Sequence, residues 1–201
     1  MRKKKREGQL SGLVFLALCF LAGVLFGQVL SGRVPDAAGE ELSRYLQSYV
    51  RLEEPAGAPA LTAAALYFRY PLLAFFLGFT SLGVALLPCL SAAWGFFLSF
   101  SVCCFTAAFG PRGVLLALAV FGLRCAVTLP CYFLLAAPAL GVSASLASLS
   151  LGMGRRAVPA VYSRENWLRL AGCCGALLAG MCAELYLSPW LLRLVLAGMF
   201  P

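Results

Sequence analysis

Two residues carry most of the chemistry inside the long apolar runs of this chain. Arg124 stands alone in GVLLALAVFGLRCAVTLPCYFLLAAPALG, Gly113 to Gly141, and Glu184 lies near the end of the last apolar run. An arginine at mid-bilayer costs about 2.5 to 3.5 kcal/mol on insertion scales, so it must face protein, water or the interface. Each of the two is the only strong charge within its apolar core, and charges in membrane spans find partners, so a polar pair of Arg124 with Glu184 is expected in the outer half of a helical bundle. Two placements of Arg124 fit the sequence: an interfacial residue that opens its span and snorkels outward, or part of an internal polar site.

Other reactive constellations are missing from the sequence. The chain has no histidine, which excludes a Ser-His pair and histidine metal sites. The nine cysteines include no C-x-x-C pair and fall almost entirely inside apolar runs, where they read as small apolar fillers. Paired glutamates occur in EELSR, residues 40 to 44, on the solvated face of an amphipathic helix. No catalytic residue, metal or cofactor is expected, and the reading is of a protein that is not an enzyme.

The elements that position Arg124 and Glu184 are those of an integral membrane protein. Of 201 residues, 62% are hydrophobic and 12% charged, with a mean hydropathy of +0.89, far from the roughly 25% charged content of soluble domains. The fold class is all-α, a helical membrane bundle of about five transmembrane helices, one of them a broken, proline-containing span. A formal charge of +8 comes largely from clusters at Arg2 to Arg6 and Arg155 to Arg164. Their position flanking apolar runs suits the positive-inside rule better than nucleic-acid binding.

Residues 1–9 form a basic cytoplasmic start and residues 10–32 a first, uncleaved span. Residues 33–69 form an external segment, in which Leu42, Tyr45, Leu46, Tyr49 and Val50 make one helical stripe; Leu42, Tyr45 and Tyr49 are candidates for docking a partner, or the stripe lies on the membrane surface. Residues 70–201 make the membrane bundle. Its second span is expected over Pro71 to Leu87, ended by Pro88, and its third over residues 89–109, ended by the GPRG turn. The 42 residues between Arg112 and Arg155 would make a straight helix about 63 Å long, twice the roughly 30 Å hydrocarbon core. Pro130 and Pro138 are therefore expected to break this fourth span. A basic cytoplasmic loop over 154–166 leads to a last span, about Trp167 to Leu187, and an external interfacial tail, 188–201. The amino terminus is cytoplasmic and the carboxyl terminus external. Gly23 and Gly27 form a GxxxG, and Gly172 and Gly175 line the last span, so both sets are candidates for close helix packing, within the chain or in a homo-oligomer.

The order of these features resembles the stage II sporulation protein M family, multi-pass membrane proteins of endospore-forming bacteria. The resemblance runs through the basic start and first span closing in GVLFG, the external helical segment, SLGVALLPCLSAAWGFFLSF, FGPRGVLLALAV, the proline-bearing LPCYFLLAAPAL, and a basic inner loop before a last span. It implies a noncatalytic component of the cell-membrane engulfment machinery that works with two membrane-anchored cell-wall hydrolases, a lytic transglycosylase and an amidase/endopeptidase. The residues also leave room for a second class, a small transporter or channel with a polar site at Arg124, although Thr80, Ser81, Ser99, Ser101, Thr106 and Thr128 form no obvious ring.

Overall fold

A computed structural model describes residues 2–32, 59–150 and 164–197. All its elements are helical. They are α1 (Arg2–Ser31), α2 (Pro59–Leu77), α3 (Gly83–Phe109), the short α4 (Pro111–Ala117), a π-helical turn (Leu118–Gly122), α5 (Leu123–Ser150) and α6 (Arg164–Ala197). Four stretches are long and apolar enough to cross a bilayer: Gln9–Ser31, Gly83–Ala107, Leu123–Ser150 and Arg164–Glu184. The protein is an all-α membrane bundle. Large apolar side chains on its outside, such as Leu18, Leu25, Phe26, Phe76 and Phe97, suit contact with lipid rather than water.

Glycine decides which helices approach closest. A Cβ on Gly23 would lie 2.0 Å from the Ala92 carbonyl oxygen, and one on Gly27 would lie 2.7 Å from that of Phe96. Gly95 reciprocates, since its Cβ would stand 2.2 Å from the Phe20 carbonyl oxygen. The GxxxG of α1 therefore packs inside the chain, against α3. Because Gly23 meets Ala92 and Gly27 meets Phe96, α1 and α3 run parallel. Gly172 and Gly175 face open space instead, and meet no other helix among the described residues of this chain.

Helix α5 sits at the centre. One of its faces contributes Tyr132, Ala136 and Ala139 to a core with Leu16, Ala74, Leu87 and Trp94. Another contributes Cys131 and Leu135 to a core with Tyr67, Phe75, Cys173 and Leu177. Aromatic rings knit the first core: Tyr70 stacks on Trp94 at 4.8 Å, and Trp94 meets the Tyr132 ring edge-on at 5.1 Å. The buried Ser91 hydroxyl pairs with the Tyr132 hydroxyl at 2.7 Å. In the second core the Cys131 and Cys173 thiols each point at the other's carbonyl, at 4.0 and 3.9 Å.

Three expectations are corrected. First, the second and third helices divide at Gly78–Leu82, not at Pro88, so the span expected over Pro71 to Leu87 is split between α2 and α3. Pro88 lies inside α3 and Pro71 inside α2, because each removes only one backbone donor, which a packed membrane helix tolerates. The turn forms where Thr80 donates its hydroxyl to the Leu77 carbonyl and Ser143 donates to that of Thr80. Gly83 is required there, since a Cβ would meet the Leu77 carbonyl oxygen at 2.3 Å.

Second, Pro130 and Pro138 lie inside α5 and do not break it. The irregularity of the fourth span is the π turn upstream. Third, α6 continues to Ala197, so residues 188–197 extend the last helix instead of forming a separate tail. Leu42, Tyr45 and Tyr49 lie outside the described residues, as does most of the basic loop.

Candidate functional site: an interhelical ion pair beside a π turn

Arg124 is the second residue of the α5 span and Glu184 the last of the α6 span. The helices run antiparallel, with Cys131 level with Cys173, so the two residues arrive at the same end of the bundle. The guanidinium engages the carboxylate side-on: Arg124 Nε donates to Glu184 Oε2 at 3.3 Å, and Nη2 donates to Oε1. This is the two-pronged geometry that a planar guanidinium supplies and an ammonium does not. The side chains are 24% and 12% exposed, which puts the pair at the rim of the bundle. Both readings of Arg124 thus meet in one place: it opens its span, and it is paired.

Two residues complete the site. Tyr67 of α2 is fully buried and donates its hydroxyl to the Gly180 carbonyl at 3.2 Å. Its ring lies 5.7 Å from the Arg124 guanidinium carbon. Gly180 permits this, because a Cβ there would meet Val127 at 2.9 Å and the Tyr67 ring at 3.2 Å. Thr128 donates its hydroxyl to the Arg124 carbonyl at 2.8 Å. The sequence shows Tyr67 only as one of a cluster of aromatics at a helix end, where a membrane-interface anchor is the natural reading. A tyrosine shortly before a proline carries no local mark of burial against helices far along the chain, one of which it meets 113 residues away at Gly180.

We expect Tyr67→Phe to cost about 1 kcal/mol, the net worth of one hydrogen bond, with the ring kept in place. Equilibrium unfolding in mixed micelles would measure it. A loss near zero would mean that the Gly180 contact contributes nothing.

The π turn explains how Arg124 is aimed. On a straight α-helix Gly113, Ala117, Phe121, Arg124, Thr128, Cys131 and Leu135 would share one stripe. In the structure that stripe serves two neighbours. Gly113 lies against the backbone of Phe105 in α3, and the Phe121 ring packs edge-on to Phe105 at 5.7 Å. Arg124 instead faces α6, and Cys131 and Leu135 face α2 and α6. A π turn holds one residue more than an α turn, so it rotates the rest of the helix by about 100°.

Deleting Ala119 should therefore convert the turn to α-helix while preserving both facings, at a cost within about 1 kcal/mol. Deleting Ala126 rotates everything beyond it and should cost several times more. Equal losses from the two deletions, measured in the same micelle assay, would refute this account.

The fold and the polar site together define a helical membrane bundle closed at one end by an interhelical ion pair. Comparison of the chain with protein-family models, curated proteins and solved structures finds no match.

Proposed function

We propose that this chain is a noncatalytic membrane scaffold of the sporulation engulfment complex, which recruits or positions peptidoglycan-remodelling enzymes as the mother-cell membrane moves around the forespore. The sequence resemblance supplies the sporulation setting. The structural observation that supports a scaffold is that the polar groups within the bundle are turned on one another. Arg124 holds Glu184, Ser91 holds Tyr132, and Ser143 holds the α2–α3 turn. Among the described residues no buried side-chain nitrogen or oxygen lacks a hydrogen-bond partner. Such satisfied networks rigidify a bundle.

The topology of this reading is five crossings, amino terminus inside and carboxyl terminus outside. Parallel packing of α1 and α3 favours it, because the chain must return across the membrane between them. Helix α2, 19 residues long and about 28 Å at 1.5 Å per residue, is the element available. Its Tyr67 meets Gly180 and its Phe75 meets Trp167 of α6, so α2 runs antiparallel to the last span.

The proposed partners are the lytic transglycosylase and amidase/endopeptidase of that complex, and the proposed docking surface is the segment carrying Leu42, Tyr45 and Tyr49. Crosslinking of the tagged protein during engulfment, beside a triple alanine variant at those positions, tests the proposal. Recovery of hydrolases with wild type and their loss with the variant is expected. A correctly inserted wild type that recovers none overturns the scaffold. The π turn next to Arg124 favours one second reading, an anion transporter, since such turns recur at functional sites; flux in proteoliposomes abolished by Arg124→Ala would select it.

A further inference from the structure

The end of the bundle opposite the Arg124–Glu184 pair carries a different polar arrangement. A shallow cleft, open on the bundle surface, lies where α2, α5 and α6 meet. Its walls include Phe75, Phe79, Leu135 and Pro138, and its polar edge is Asn166 and Arg169. The Asn166 side chain makes no hydrogen bond among the described residues. Arg169 is one-third exposed and touches Glu165 at 3.5 Å, a contact within its own helix. Trp167, half exposed, sets its ring edge-on to Phe75 at 5.6 Å.

Position adds to this. The α6 span begins at Arg164, so Asn166 and Arg169 lie within about 8 Å of its start, at headgroup and glycerol depth, where tryptophan also concentrates. The two bundle ends treat their arginines differently. Arg124 receives a carboxylate from another helix, whereas Arg169, among the described residues, pairs with an exposed glutamate one turn back, beside an apolar cleft. Arg164 and Arg169 outnumber Glu165, so this end of α6 carries net positive charge.

The geometry points to a binding site for an anionic phospholipid, its phosphate held by Arg169 and Asn166 and an acyl chain laid over Phe75, Leu135 and Pro138. The ligand class comes from the two halves of the site. A guanidinium and an amide at the rim match a phosphodiester, and the apolar walls beside them, Phe75, Leu135 and Pro138, match hydrocarbon. A phosphatidylcholine headgroup presents a trimethylammonium toward the same arginines, so the anionic lipid is preferred. Positive residues at such a surface attract anionic lipid and not the net-neutral kind.

The test uses the full chain in neutral detergent micelles. Thermal unfolding is tracked with added phosphatidylglycerol, phosphatidylcholine or inorganic phosphate, and native mass spectrometry counts retained lipid. Phosphatidylglycerol should raise the unfolding temperature well above the shift given by phosphatidylcholine, with one lipid retained. Each variant is read as the lipid-dependent shift against its own lipid-free value. Arg169→Gln should lose most of the phosphatidylglycerol shift. Val142→Phe, which fills the cleft and leaves every charge in place, should weaken retention at least tenfold and covers the case in which Arg169→Gln fails to fold. Equal shifts with both lipids, an equal shift with inorganic phosphate, or full phosphatidylglycerol binding by Val142→Phe would each overturn the assignment.

Discussion

Replacing Gly95 by valine should nearly abolish the folded bundle, whereas Gly175→Ala should cost nothing and add at most about 1 kcal/mol. Both glycines lie mid-helix among small and apolar neighbours, and neither has an unusual backbone angle. They differ in what stands opposite. A Cβ on Gly95 would come within 2.2 Å of the Phe20 carbonyl oxygen and 3.2 Å of the Val24 nitrogen. These are backbone atoms, which cannot rotate away. Helices α1 and α3 would have to separate by more than an ångström along their longest shared face, which also carries Gly23 and Gly27. Overpacking in a core costs about 1 to 3 kcal/mol where side chains can adjust, and more where they cannot; we expect at least about 3 kcal/mol here. Gly175 faces open space, and alanine there gains helix propensity, up to about 1 kcal/mol in an exposed interior position. Denaturant titration of the two variants in micelles decides the matter. A Gly95 variant of wild-type stability would mean that α1 and α3 do not pack as described.

That contrast also marks what the sequence could tell. Gly23–Gly27, at i and i+4, and Gly172–Gly175, at i and i+3, each put two glycines on one helical face, and nothing local separates a lane that meets a neighbour from one that faces outward. The complementary lane is also written in the sequence, since Ser91, Gly95 and Ser99 recur at helical spacing, and the structure buries all three in α3. Pairing the two lanes would have predicted that α1 packs on α3, while the parallel orientation comes only from which residues meet, Gly23 with Ala92 and Gly27 with Phe96. Hydrophobic length gave the all-helical membrane class without difficulty, because no soluble fold accommodates so many uncharged runs.

Boundaries were harder. Proline is the loudest breaker in a soluble chain, and it misplaced the division between α2 and α3 by several residues. In this bundle Pro71, Pro88, Pro130 and Pro138 all lie within helices, while the real turn rests on Thr80, Ser143 and Gly83. Ser143 reaches Thr80 from 63 positions away. The π turn had no sequence signal at all. It exists because Phe105 and Glu184 draw the two halves of one stripe toward different helices, a tertiary fact. Arg124 and Glu184, by contrast, were readable as partners, since a lone charge of each sign in antiparallel spans has few other ways to be neutralised.

Loss of either partner in that pair should be costly and loss of both should be less than the sum. Glu184→Ala removes both acceptors of the Arg124 guanidinium and leaves a cation among Tyr67, Val127 and Thr128. Breaking a fully buried pair costs about 3 to 5 kcal/mol. Here the arginine is 24% exposed and the glutamate 12%, so solvent and headgroups take up part of the loss; about 2 kcal/mol is expected for each single alanine variant. The double variant should recover about 1 kcal/mol of the summed losses, because no charge remains unpaired. Arg124→Lys separates geometry from charge. An ammonium keeps the charge but cannot meet both carboxylate oxygens side-on, so it should retain only part of the coupling. The alanine cycle and a second one built on Arg124→Lys with Glu184→Ala, measured by unfolding in mixed micelles at one ionic strength, read all of this. Additive losses would show that the contact carries no energy. Full coupling retained in Arg124→Lys would show that charge alone, without the planar fork, joins α5 to α6.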